Sequence, residues 1–150
     1  MSGTYTKILY HIVFSTKRRQ PFITPEIEER LHEYMGGIVR SLNGVALRIG
    51  GVPDHVHLLI RWRTDETLAA LMRTVKSQSS AWVHETFPGN REFAWQEGYA
   101  AFSVSQSQAS AVDRYIAMQA EHHRRRTFVD ELRDFLRAHE VEFEERFITE

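Results

Sequence analysis

The sequence predicts an α+β fold of ferredoxin-like order: an antiparallel β-α-β-β-α-β sheet with two long helices on one face, followed by further helices at the C-terminus. Three observations predict it. Two stretches carry apolar residues at a 3.6-residue rhythm. Four others are rich in β-branched and aromatic residues. Their order along the chain is that of the split βαβ unit.

"YTKILYHIVFST" (5–16) is long, aromatic and β-branched, and reads as a strand buried on both faces. "KRRQPF" follows as a basic loop. Thr24-Pro25 opens the first helix, with Thr as N-cap and Pro at the first helical position. Ile27, Leu31, Tyr34, Ile38 and Leu42 keep the helical rhythm, and Gly44 stands where a C-terminal glycine belongs. "VALRIGGV" and "HVHLLIRW" are the second and third strands, with Gly50-Gly51 and Pro53-Asp54 marking a bend or bulge between them. Leu68, Leu71, Val75 and Trp82 define a second amphipathic helix over roughly 66–85, which "FPGN" breaks. "FAWQEGYAAFSVS" (93–105) predicts short strand segments bent at Gly98. Ser110 and Asp113 form a capping-box pattern for a helix over 111–123, and Thr127 and Asp130 repeat it for a helix to 138. The second sheet face must be covered by these C-terminal helices or by a second subunit.

The whole chain, 1–150, reads as one domain: a core over about 1–105, a helix over about 110–123, and a last helix with an acidic tail over 127–150. Its 42% hydrophobic and 26% charged residues are ordinary for a globular protein. No apolar run approaches the roughly 20 residues needed to span a bilayer, and no signal peptide precedes the first strand, so no membrane partner is expected. The absence of cysteine excludes disulfides, thiolate metal sites and cysteine nucleophiles, and fits a cytoplasmic protein. Residues 1–126 hold 16 Lys/Arg against 12 Asp/Glu, whereas residues 127–150 hold 3 against 8. A mildly basic body with an acidic tail permits a nucleic-acid partner for the body without requiring one.

Two residue pairs suggest chemistry. His55 and His57 alternate with Val56, Leu58 and Ile60 on the third strand, so both imidazoles share one face, close enough to lean onto one metal ion. The bland alternative is a pair of hydrogen-bonded, partly buried rings. Tyr115 and Gln119 are spaced i, i+4 and share a helix face. They offer either ordinary packing or a phenol to attack and an amide oxygen to bind metal. His122 and His123 are adjacent on a helix, diverge by about 100°, and cannot both chelate one ion. They read as polar decoration at a helix end.

"YHIVFSTKRR", "DHVHLLI", "WQEGYAAFSVS" and "YIAMQAEHH" occur here in an order that resembles the HUH-type single-tyrosine transposases of bacterial insertion sequences, the IS-two-hundred-like group. The resemblance covers nearly the whole chain. It implies that His55 and His57 are the metal-binding histidines of the HUH motif, Tyr115 the catalytic nucleophile and Gln119 the third metal ligand, with Mg²⁺ or Mn²⁺ as cofactor. It further implies a homodimer, in which the tyrosine helix serves either its own or the partner's histidine pair, and single-stranded DNA hairpins at transposon ends as substrate. Cleavage would leave a 5′-phosphotyrosine and a free 3′-hydroxyl, and rejoining would need no ATP. Lys17, Arg18, Arg19, Arg61, Arg63, Lys76, Arg124, Arg125 and Arg126 are the candidate phosphate contacts.

Other readings are weaker. A histidine-triad nucleotide hydrolase needs a third histidine at position 59, which is Leu59. A domesticated hairpin-binding relative without transposition activity keeps every motif, so the sequence does not separate it from an active transposase. A ferredoxin-like interaction module leaves the motifs unexplained.

Overall fold

The computed structural model describes residues 3–149; Met1, Ser2 and Glu150 lie outside the described residues. The chain runs β1 (Ile8–Ser15), a 3-10 turn (Lys17–Arg19), α1 (Pro25–Ser41), β2 (Val45–Val52), β3 (His55–Trp62), α2 (Leu68–Thr86) and β4 (Ala100–Val104). A second 3-10 turn (Gln106–Gln108) leads into α3 (Ala109–Ala117), α4 (Gln119–His122), α5 (Phe128–Ala138) and α6 (Glu145–Thr149). The sheet order is β2-β3-β1-β4, with every pairing antiparallel. This is the ferredoxin-like arrangement that the order of elements predicts.

Strand alternation divides the sheet between two jobs. Ile12, Phe14, Val56, Leu58 and Ile60 pack on one face against Ile27, Leu31 and Met35 of α1 and Leu71 and Val75 of α2. Burying each of these large side chains is worth about 1.5–3 kcal/mol, so this face anchors the sheet. The opposite face carries Val13 and Phe102 under Phe128 and Leu136 of α5. The C-terminal segment of the chain itself covers this second face. Among the described residues, no helix is long and apolar enough to cross a membrane.

The 93–105 stretch forms short strand segments, an isolated bridge of Trp95 to Thr16 and then β4, with the bend at Gly98 (φ 79°) that its sequence predicts. The Lys76 ammonium donates to the carbonyls of Gln96 and Gly98 and braces this bend. Two local expectations are corrected. Ser110 and Asp113 form no capping box: α3 begins at Ala109, upstream of them, and Arg48 Nε donates to Asp113 Oδ1 at 2.5 Å. The helix foreseen over 111–123 is interrupted at Met118 and becomes α3 and α4.

Gly50 serves a purpose other than a bulge. The register irregularity of β2 falls between Ala46 and Arg48. At Gly50 a Cβ would lie 2.7 Å from the carbonyl oxygen of Ile116, so the missing side chain lets α3 rest directly on β2. Gly50 is also the register partner of His57. The contact therefore sets the tyrosine-bearing helix beside the histidine strand.

Candidate metal and tyrosine site

His55 and His57 open β3, immediately after the two-residue turn Pro53-Asp54, and both are fully buried on the face beneath α5. Buried imidazoles need partners for both ring nitrogens. Each of these two finds one partner beyond the cluster and directs Nε2 inward. His55 Nδ1 lies 2.6 Å from Asp54 Oδ1. His57 Nδ1 lies 2.7 Å from Nε2 of His11, a buried histidine of β1 stacked on it. Burial, and then the neighbouring His57, lower the His11 pKa to about 3, so His11 is a neutral support.

Tyr115 on α3 and Gln119 on α4 come to this pair within the same chain. Gln119 Oε1 is 3.3 Å from His55 Nε2, and the Tyr115 and His57 ring centroids are 5.9 Å apart. A single chain thus assembles all four residues that the sequence singles out.

Two further residues join them that sequence reasoning missed. Glu131 of α5 is 3% exposed. Its Oε1 lies 2.9 Å from His57 Nε2, 3.3 Å from His55 Nε2 and 3.1 Å from His123 Nε2. Its Oε2 accepts hydrogen bonds from the Tyr115 hydroxyl and from Gln119 Nε2. His123 is not surface decoration: its side chain is 9% exposed. The divergence of adjacent histidines on a helix excludes only their joint chelation of one ion. His122 stacks on the Tyr115 ring while His123 turns inward. The overlooked signal was a carboxylate on the apolar stripe of a helix, since Glu131 shares a face of α5 with Phe128 and Phe135.

The cluster is electrostatically coupled. Burial opposes the charge on Glu131, but the imidazoles of His123, His55 and His57 that face it outweigh it and hold the carboxyl well below its usual range. Burial acts to lower the His55 pKa, yet the hydrogen bonds to Asp54 and Glu131 hold it up at about 9. For His57 burial wins and the pKa falls. Burial, and then the Glu131 carboxylate, raise the Tyr115 pKa above its ordinary value.

The donor set suits a divalent ion. Ligand atoms of His55, His57, His123 and Glu131 all lie within 4.8 Å of one another. Around a small ion with bonds of about 2.0–2.1 Å, neighbouring tetrahedral donors are separated by roughly 3.3 Å, close to the spacings from Glu131 Oε1. Anchoring of Nδ1 outside the cluster is the usual support of a ligating histidine.

A family model described as IS200-like transposase matches residues 4–119. The chain belongs to the IS200-like transposase family. The ISDra2 transposase TnpA of Deinococcus radiodurans is 21% identical to this transposase over 122 residues, 78% of this chain and 87% of the relative. A crystal structure from Deinococcus radiodurans described as a transposase superposes with a TM-score of 0.64 at 22% identity, covering 79% of this chain and 95% of that one. A REP-associated tyrosine transposase bound to a REP hairpin superposes with a TM-score of 0.60 at 16% identity, covering 82% of this chain and 73% of that one. Family membership makes the chain a DNA-cleaving and strand-transferring type of protein.

The basic residues divide by position. Arg19, Arg124, Arg125 and Arg126 line one groove of about 820 Å³ that also reaches Asp54 and His123. Lys17 and Arg18 lie in the 3-10 turn with Arg19. Arg61 and Arg63 lie toward the far end of β3 and just beyond it; Arg61 is six residues from His55, about 20 Å along the strand. Arg63 is paired with Asp65, and Lys76 braces the 96–98 loop.

Proposed function

We propose that this transposase cleaves and rejoins single-stranded DNA at hairpin-bearing element ends through a 5′-phosphotyrosine on Tyr115. The observation that carries the reading is the meeting of Tyr115 and Gln119 with the His55–His57 pair inside one chain. His55, His57 and Gln119 would hold Mg²⁺ or Mn²⁺. When bound, the ion supplies Lewis-acid activation of a nonbridging phosphate oxygen. Tyr115 supplies the nucleophilic oxygen: a bond forms between Oη and phosphorus, the bond to the 3′-oxygen breaks, and that oxygen leaves as a 3′-hydroxyl. The phosphodiester energy is kept in the tyrosine ester, so the reverse attack by another 3′-hydroxyl rejoins DNA. One nucleophilic tyrosine per chain means that two simultaneous cleavages need two chains, which supports a homodimer. The chain is proposed to act as a single domain in the cytoplasm.

Basic side chains around the groove beside His123 are suited to a DNA backbone. A second reading, hairpin binding without strand transfer, is favoured by one feature. The Tyr115 hydroxyl is held by Glu131, Phe128 of α5 stacks on His55, and Phe135 of α5 meets the Tyr115 ring edge-on. The deciding experiment incubates full-length protein with hairpin-bearing single-stranded DNA and Mg²⁺ or Mn²⁺, and looks for a denaturation-resistant adduct. The proposal expects an adduct with wild type and none with Tyr115→Phe, while hairpin binding persists in both. Binding without an adduct across a panel of hairpins supports the second reading.

A further inference from the structure

We infer that His123 and Glu131 complete the metal centre, and that Glu131 joins it to the nucleophile, one carboxylate oxygen serving the ion and the other holding the Tyr115 hydroxyl. This rests on the reading of His55 and His57 as metal ligands and extends it to two residues of the C-terminal segment.

His123 is turned inward and anchored at one ring nitrogen. Its Nδ1 lies 2.7 Å from the carbonyl oxygen of Arg126, which fixes the proton on Nδ1 and leaves the Nε2 lone pair pointing inward. That Nε2 is buried and makes no hydrogen bond, although Glu131 Oε1 is 3.1 Å away. A side chain only 9% exposed does not ordinarily leave a ring nitrogen unmatched. A divalent ion is the partner for which such a lone pair is suited. With His55 anchored on Asp54 and His57 on His11, the three rings present three Nε2 atoms around one carboxylate oxygen.

Glu131 adds a second consequence. Because Oε2 accepts from the Tyr115 hydroxyl while Oε1 faces the imidazoles, the carboxylate is a rigid link between metal and phenol. Holding Glu131 on the ion fixes Oε2 in place, and with it the direction of the Tyr115 oxygen. Glu131 is therefore a positioning residue for Tyr115. Beside Gln119 as an oxygen donor, three imidazoles and one carboxylate favour Mn²⁺ or Zn²⁺ over Mg²⁺, which prefers an all-oxygen shell.

The test uses the full chain in the absence of DNA. Zn²⁺ added to ¹⁵N-histidine-labelled wild type is expected to shift three Nε2 resonances, those of His55, His57 and His123. The Tyr115 ¹³Cζ resonance is expected to move in the same titration. Calorimetry with Mn²⁺ is expected to give at least tenfold weaker binding for His123→Ala and for Glu131→Gln. In Glu131→Gln the Tyr115 resonance no longer responds to saturating metal. Shifts of His55 and His57 alone, with His123→Ala and Glu131→Gln binding Mn²⁺ within twofold of wild type, would overturn the inference. An unmoved Tyr115 resonance in metal-loaded wild type would overturn the link. The underlying reading fails separately, if His57→Ala binds Mn²⁺ as wild type does. The wild-type spectra decide the matter even if a variant does not fold.

Discussion

The Asp54 carboxylate accepts a hydrogen bond from His55 Nδ1 at 2.6 Å, across the turn that joins β2 to β3. The same two-residue turn that sets the strand register thus also sets the orientation of the first histidine. Asp54→Asn removes the negative charge that holds the His55 proton on Nδ1. Because the Asp54 side chain is 32% exposed, the fold should lose less than about 1 kcal/mol. Mn²⁺ affinity should fall by roughly 10–100-fold, the usual cost of losing such a support. Calorimetry beside a urea melt checks both, and unchanged affinity would separate Asp54 from the metal site.

Gly50→Ala tests the placement of the tyrosine helix. The new Cβ would meet the Ile116 carbonyl oxygen at 2.7 Å, backbone that cannot swing aside as a side chain can. The expected destabilisation is about 1–3 kcal/mol, with α3 displaced from β2. Adduct yield should drop more than hairpin affinity does. Equal losses in both would mean that the contact supports the fold alone.

The basic groove makes a prediction about salt. Arg124 and Arg125 border the groove beside His123, whereas Arg61 lies about 20 Å from His55 along β3. The double variant Arg124→Ala, Arg125→Ala should weaken hairpin binding. It should also reduce the slope of log affinity against log salt by about 1.4–1.8, two phosphate contacts' worth. Arg61→Ala should leave the slope unchanged. The reverse pattern would move the DNA path to the other end of the sheet.

His32 of α1 gives a pH dependence of its own, apart from the His55–His57–Glu131 cluster. Burial lowers its pKa from 6.5 to about 4, and its Nε2 is buried without a hydrogen-bond partner. The unfolded chain therefore binds a proton that the folded chain refuses. The stability from neutral His32 is complete above pH 6.5 and is lost as pH falls toward 4. Over that window His32→Leu should remove at most about 3 kcal/mol of acid sensitivity, seen by subtracting its denaturation midpoints from those of wild type. Parallel curves would contradict the assignment.

The legible parts of this molecule are those governed by local pattern. The bounds of β2 and β3 follow from their β-branched runs and the Gly50-Gly51 and Pro53-Asp54 pairs, and the facing of His55 and His57 follows from strand alternation. The pairing of Tyr115 with Gln119 was legible from their four-residue spacing, which keeps them together although the helix is interrupted at Met118. Glu131 and His123 were not, because their roles depend on α5 folding back across the sheet, a tertiary event with no periodic signature. Ser110 and Asp113 misled for a similar reason: Arg48, 65 residues from Asp113, claims the carboxylate that a capping box would use.

Covalent joining of Tyr115 to DNA is read out by protease digestion of the adduct formed on hairpin-bearing single-stranded DNA, followed by mass spectrometry of the nucleotide-linked peptide. The expected product is a 5′-phosphate ester on Tyr115 within the "YIAMQ" segment. A nucleotide attached to any other residue, or a wild-type adduct equally abundant in Tyr115→Phe, would contradict it.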